Sequence, residues 1–109
     1  MITLDATFNR RVVRASVGEL LRLDLPEDVV AGHRWALSDP LPEQLRLVKD
    51  KTAAARSLAT SGGDRRLEFR VVGQGSFALS LVNAPAWQHT SSSFEVYVEA
   101  YEADTRLDS

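Results

Sequence analysis

The chain has 109 residues, a length that indicates one domain large enough to bury a hydrophobic core without covalent cross-links. It contains no cysteine, which excludes a disulfide, a thiolate metal site and a cysteine nucleophile. The net charge is −2, and the Lys and Arg residues are interspersed with acids, so no basic stripe is visible and no nucleic-acid partner is expected.

Alternation of apolar and polar residues with a period of two predicts β-strands that have one buried face. In chain order, the pattern begins at Ile2 and Leu4, continues weakly through Val13, Ala15 and Val17, and then covers Leu20–Leu25, Arg66–Val72, Phe77–Val82 and Phe94–Ala100. The core is expected to contain Leu23, Trp35, Phe69, Leu79, Leu81, Phe94, Val96 and Val98. Strands separated by turn signals in this way predict an all-β, immunoglobulin-like antiparallel β-sandwich. One domain is expected over residues 1–104, followed by a frayed tail at 105–109.

Residues 43–59 allow two interpretations. Pro42 could occupy the first turn of a helix, and the Ala and Leu residues that follow favour helix. The stretch Leu45–Val48 equally fits a short strand, which a long exposed loop would then follow. The local sequence alone leaves both open.

The first residues of the chain lack a charged segment followed by an apolar run, so no signal peptide is recognised. No stretch approaches the roughly 20 apolar residues of a membrane span. We therefore expect no membrane partner and a cytoplasmic location for the chain as given, or a periplasmic or secreted one if a leader has been removed. The excess of Arg over Lys indicates a bacterial source.

Three short motifs occur in a distinctive order. Pro26 is followed by Asp28-Val29-Val30-Ala31-Gly32 and then, at a fixed spacing, by Trp35; later come Ser61-Gly62-Gly63 and Pro85-Ala86-Trp87. In this order and spacing, over about Val12 to Ala100, the sequence resembles the chagasin family of cysteine-protease inhibitors, which are small immunoglobulin-like sandwiches. The resemblance favours a strand and a loop over a helix in residues 43–59.

In that family, three loops at one end of the sandwich form a wedge that enters the active-site cleft of papain-like proteases. The resemblance implies that the protease-contact residues of this chain are Asp28, Val29, Val30, Ala31, Gly32, Ser61, Gly62, Gly63, Pro85, Ala86 and Trp87. It also implies a papain-like cysteine protease as partner.

The loops depart from the family motifs at defined positions. Val29 stands in the place of a proline, and Val30 and Ala31 replace two threonines, so both hydroxyls are lost. The second loop lacks the first glycine of a Gly-x-Gly-Gly motif, and the third has Pro85-Ala86 where the family has Arg-Pro. Trp87 keeps its place; it either contacts the partner or folds back over the end of the sandwich.

The remaining side chains do not indicate a metal site or a catalytic site. His33 and His89 would lie at the same end as Asp28, but their spacing does not require a metal, and we expect no metal site and no cofactor. No activated nucleophile is recognised, so no catalytic residue is assigned and an enzyme is not expected. Arg65 and Arg66 are interpreted as solvated residues next to acids.

The sequence therefore predicts a reversible proteinaceous inhibitor of papain-like cysteine proteases that blocks the active-site cleft with three clustered loops. The alternative is an immunoglobulin-like protein-binding module of the same fold, with a different partner and no inhibitory activity. The sequence does not indicate an oligomeric state.

Overall fold

A computed structural model describes residues 1–27, 34–53, 64–83 and 92–102. These residues form eight strands and one short 3₁₀ helix, Ala6–Phe8. The strands are β1 (Ile2–Leu4), β2 (Val12–Ser16), β3 (Leu20–Pro26), β4 (Trp35–Leu37), β5 (Leu45–Ala53), β6 (Asp64–Val71), β7 (Gly75–Asn83) and β8 (Ser92–Tyr101). The predicted all-β fold is confirmed, and the four main strands lie within about two residues of their predicted bounds.

The strands form two four-stranded sheets. The first sheet has the order β1-β3-β6-β5, and the second has the order β2-β8-β7-β4. Within each sheet the long central strands are antiparallel, as predicted. Both sheets are nevertheless mixed, because β1 runs parallel to β3 and β2 runs parallel to β8. The purely antiparallel arrangement was therefore wrong at these two edges.

The parallel pairs have a simple cause in the chain order. The N-terminal segment enters the first sheet as β1 and, after the 3₁₀ helix, crosses to the second sheet as β2. In each sheet it fills an edge position beside a strand that runs in the same direction. The alternation of apolar residues in these two edge strands indicates their buried face but not their direction.

The core lies between the two sheets. All eight side chains predicted for it are buried, and Leu23, Leu79 and Val96 are completely inaccessible. Further buried residues from both sheets complete one continuous cluster: Leu4, Val13, Ala15, Leu21, Leu25, Leu45, Leu67, Val71 and Ala100. The weak runs around Val13 and Ile2 are therefore genuine strands that contribute to the core.

Residues 45–53 form a strand rather than a helix. β5 pairs with β6 along its whole length, with a register irregularity between Leu47 and Lys49. Leu45 is buried against the core, whereas Leu47 and Val48 remain about half exposed at the edge of the sheet. Sheet pairing thus overrides the local helix propensity, as tertiary contacts commonly do. In the described part of the chain, no helix is long and apolar enough to cross a membrane.

Candidate functional site

The strand ends that border the three motif segments meet at one end of the molecule. In the first sheet, Pro26 pairs with Asp64, and Asp64 also pairs with Ala53. In the second sheet, Asn83 pairs with both Trp35 and Ser92. These residues are the last or first of their strands, so the connections 28–33, 54–63 and 84–91 all leave from these two strand ends.

Trp35 joins the two strand ends across the sandwich. Its backbone lies in β4 of the second sheet, and its indole Nε1–H donates a hydrogen bond of 2.7 Å to the carbonyl oxygen of Pro26, the last residue of β3 in the first sheet. The side chain is buried, which confirms its prediction as a core residue. The three connections therefore belong to the same end of the molecule, called here the loop end.

The eleven predicted contact residues lie outside the described residues. They are Asp28, Val29, Val30, Ala31, Gly32, Ser61, Gly62, Gly63, Pro85, Ala86 and Trp87, and the same holds for His33 and His89. Their assignment as protease contacts stays a prediction. Among the described residues, no three His, Asp or Glu side chains group as metal ligands.

Glu27 is a buried carboxylate directly before the first of these segments. The residue is 1% exposed, and it is the only charged side chain buried among the described residues. Its Oε2 accepts the backbone N–H of Trp35 at 2.8 Å, which ties together the residues on either side of segment 28–33. Its Oε1 accepts the hydroxyl of Thr52 at 3.2 Å, next to the start of segment 54–63.

Arg65 supplies the positive charge opposite Glu27. One guanidinium nitrogen lies 2.8 Å from Glu27 Oε2 and donates also to the carbonyl oxygen of Trp35 at 3.1 Å. The other two nitrogens donate to the two carboxylate oxygens of Asp50, at 2.5 and 2.9 Å. Such a two-point contact is the strongest geometry for this ion pair. Hydrogen bonding to Asp50 raises the pKa of Arg65 above its ordinary value despite partial burial.

The interpretation of Arg65 as a solvated residue was wrong, since only 12% of its side chain is exposed. Arg66, the next residue, does face outward and forms a partly exposed pair with Asp24 at 2.9 Å. The sequence carried a signal for this difference. Arg65 has the same strand parity as the buried Leu67 and Phe69, so the alternation places it on the inner face.

Five residues thus form one hydrogen-bonded group beneath the loop end: Glu27, Trp35, Asp50, Thr52 and Arg65. We call this group the stem network. It contains two carboxylates and one guanidinium, and none of its members is placed like an activated nucleophile beside a general base. Its chemistry is that of a support: it fixes backbone positions from which the first two segments begin and end.

A β-sandwich that carries three chain segments at one end of its two sheets belongs to a known class of loop-presenting binding domains. The model of the chagasin family peptidase inhibitors, family I42, matches residues 14–98 of the sequence. The chain therefore belongs to the chagasin family of peptidase inhibitors. The resemblance seen in the sequence is confirmed.

Solved structures agree with this fold. The cysteine protease inhibitor EhICP2 from Entamoeba histolytica superimposes with a TM-score of 0.79 at 15% identity, covering 92% of this chain and 95% of that chain. Amebosin gives 0.74 at 19% identity, with coverages of 92% and 97%. PbICP-C, solved in complex with falcipain-2, gives 0.62 at 16% identity, with coverages of 93% and 100%. No curated protein matches the sequence.

Proposed function

We propose that this protein is a reversible, non-covalent inhibitor of papain-like cysteine proteases that inserts the segments 28–33, 54–63 and 84–91 into the active-site cleft. The observation that carries the proposal is the position of the bordering strand ends at one end of the sandwich, in a chain of the chagasin family. A solved relative, PbICP-C, has been captured in complex with falcipain-2.

Inhibition of this kind needs no chemistry from the inhibitor. We propose that the protein acts by binding and not as an enzyme: it occupies the cleft in place of substrate. Such binding is strong when the loops are held in their bound shape beforehand, because less conformational entropy is lost on association. The stem network supports this proposal, since it fixes residues on both sides of segment 28–33 and one residue beside segment 54–63.

The contact residues proposed for this role are those of the three motifs, including Val30 and Ala31 of the first and Trp87 of the third. Val30 and Ala31 lack the hydroxyls of the family threonines, and each missing hydrogen bond forgoes roughly 0.5–1.5 kcal/mol. We therefore expect weaker inhibition than that of a relative with intact motifs.

The test is the inhibition constant for papain, measured with the wild type and three variants. Joint replacement Asp28→Asn, Val29→Pro, Val30→Thr and Ala31→Thr should tighten inhibition about tenfold for each ~1.4 kcal/mol recovered. Trp87→Ala should weaken it. Tyr101→Ala is the matched control, because this tyrosine is exposed and lies at the opposite end of β8 from the loop end. It should leave the constant unchanged.

An inert wild type that gains no inhibition from the four replacements would contradict the proposal. The alternative would then hold: the family scaffold would serve as a binding module for another partner. If the wild type does inhibit papain, and Trp87→Ala and Tyr101→Ala change the inhibition constant equally, the protein binds through a surface other than the loop end.

A further inference from the structure

The residues on either side of the first motif segment are joined by the carboxylate of Glu27, which lies outside the motif. Glu27 precedes the segment and Trp35 follows it, and the Glu27 carboxylate accepts the Trp35 N–H at 2.8 Å. The side chain of Glu27 is fully buried, so its charge requires a close positive partner. Arg65 is that partner, at 2.8 Å.

Arg65 extends the connection to the second segment. It is the second residue of β6, one residue removed from the end of segment 54–63, and its strand neighbour on β5 is Thr52, one residue removed from the start of that segment. The Thr52 hydroxyl in turn donates to the other carboxylate oxygen of Glu27, Oε1, at 3.2 Å. The residues that border two separate segments thus share one carboxylate.

From this geometry we propose that Glu27 and Arg65 are positioning residues for inhibition, which hold together the residues that border segments 28–33 and 54–63. This inference rests on the proposed function and names a pair that none of the three loop motifs contains. Glu27 and Arg65 themselves contact no protease; they act by holding the backbone from which the contact residues extend. Among the described residues, the pairing of Asn83 with Trp35 connects the network to the strand that precedes the third segment, 84–91.

The neighbouring pair Arg66–Asp24 provides a control of the same chemistry. It joins β3 and β6 at 2.9 Å, with Asp24 three residues before Glu27 on the chain, but it lies on the outer face and, among the described residues, has no hydrogen bond to Glu27 or Trp35. Replacing either arginine by lysine keeps the charge and removes the planar fork. Only replacement of Arg65 should disturb the loop end.

The first measurement uses papain and the variants Glu27→Gln, Arg65→Lys, Arg66→Lys and Val71→Ala. The last removes buried atoms at the opposite end and controls for general destabilisation. At a temperature where every variant is folded, Glu27→Gln and Arg65→Lys should each weaken inhibition by about tenfold, because the competent loop conformation is populated less. Arg66→Lys and Val71→Ala should change it by less than about twofold.

A double-mutant cycle shows whether the losses of inhibition at Glu27 and Arg65 come from one shared contact or from two independent effects. Because Glu27 and Arg65 act through one contact, the double variant should inhibit only slightly less than either single variant. Glu27→Gln combined with Arg66→Lys should be additive. Additive losses for Glu27 and Arg65, or equal losses in the Val71→Ala control, would overturn the inference.

Hydrogen exchange of the free protein gives a readout that does not depend on inhibition. Backbone amides in residues 28–33 and 54–63 should exchange about tenfold faster in Glu27→Gln than in the wild type. Their exchange rates in Arg66→Lys should equal those of the wild type. If neither the wild type nor the variant with the four replacements inhibits papain, the proposed function fails, and this measurement still decides the positioning role. Exchange that is unaffected by Glu27→Gln, or wild-type segments without protection, would overturn it.

Discussion

Replacement of Arg65 by methionine should be among the most destabilising changes to a charged residue in the described part of the chain. Methionine keeps an unbranched apolar chain in place of the arginine stem but removes the cation 2.8 Å from Glu27. Among the described residues, the carboxylate of Glu27 would stay buried with the Trp35 N–H and the Thr52 hydroxyl as its remaining partners. Breaking a buried ion pair in this way costs about 3–5 kcal/mol.

The same replacement at Arg66 should cost little. Its side chain is 43% exposed and its partner Asp24 is 28% exposed, so water screens the pair and replaces it when it is lost. Pairs of this kind are worth about 0–1 kcal/mol. Urea unfolding at neutral pH, followed by fluorescence or circular dichroism, gives the free energy of unfolding of both variants.

A second replacement checks the cause. Glu27→Gln in the Arg65→Met background removes the unpaired charge while keeping an oxygen for the Trp35 N–H. We expect the double variant to be more stable than Arg65→Met alone. Equal free energies of unfolding for Arg65→Met and Arg66→Met, or no recovery in the double variant, would refute the reasoning.

Three further predictions address the core, the loop end and the surface. Leu79→Ala, at a fully inaccessible position, should lower the free energy of unfolding by about 2–5 kcal/mol in urea; an unchanged midpoint would argue against its place in the core. Trp35→Phe removes the N–H donated to Pro26, a loss of about 0.5–1.5 kcal/mol, and also buried ring atoms, so the free energy of unfolding should fall by more than the hydrogen bond alone; no loss would show that this hydrogen bond is immaterial. The Tyr97 hydroxyl lowers the pKa of Glu95 below 4.5, so the stabilisation it gives is present above pH 4.5 and lost as the pH falls through the folded value. An NMR titration of Tyr97→Phe should find the Glu95 pKa raised, and an unmoved pKa would contradict this.

The main strands could be predicted because their apolar residues recur at every second position, and these are the positions that face the core. Leu21, Leu23 and Leu25 alternate with charged residues, and each of the three is buried in the structure. The direction of β1 and β2 could not be predicted in this way. Alternation identifies the buried face of a strand but says nothing about which neighbour it pairs with or in which direction.

The stem network escaped prediction for a different reason. Glu27 and Arg65 are far apart in the sequence, and an acid and a base each look like ordinary surface residues until the pairing of β3 with β6 brings them together. The strand parity of Arg65 was readable, but charged residues on an inner face are uncommon enough that its neighbouring acids suggested solvent exposure. The chagasin-like loop motifs, by contrast, were recognisable because their order and spacing survive even where individual residues have changed.

The pairing of β2 with β8 has a consequence for how the chain reaches its folded state. Val12 lies beside Tyr97, so one edge of the second sheet joins residues roughly 85 positions apart. Contacts of such long sequence separation carry a large loop-closure entropy, and β-sandwiches dominated by them fold in milliseconds to seconds. During synthesis, β2 has no strand partner among the described strands, and β7 is paired only with β4, until β8 leaves the ribosome. Until then β2 is unpaired and β7 has an open edge, so the nascent chain is most exposed to aggregation just before β8 emerges.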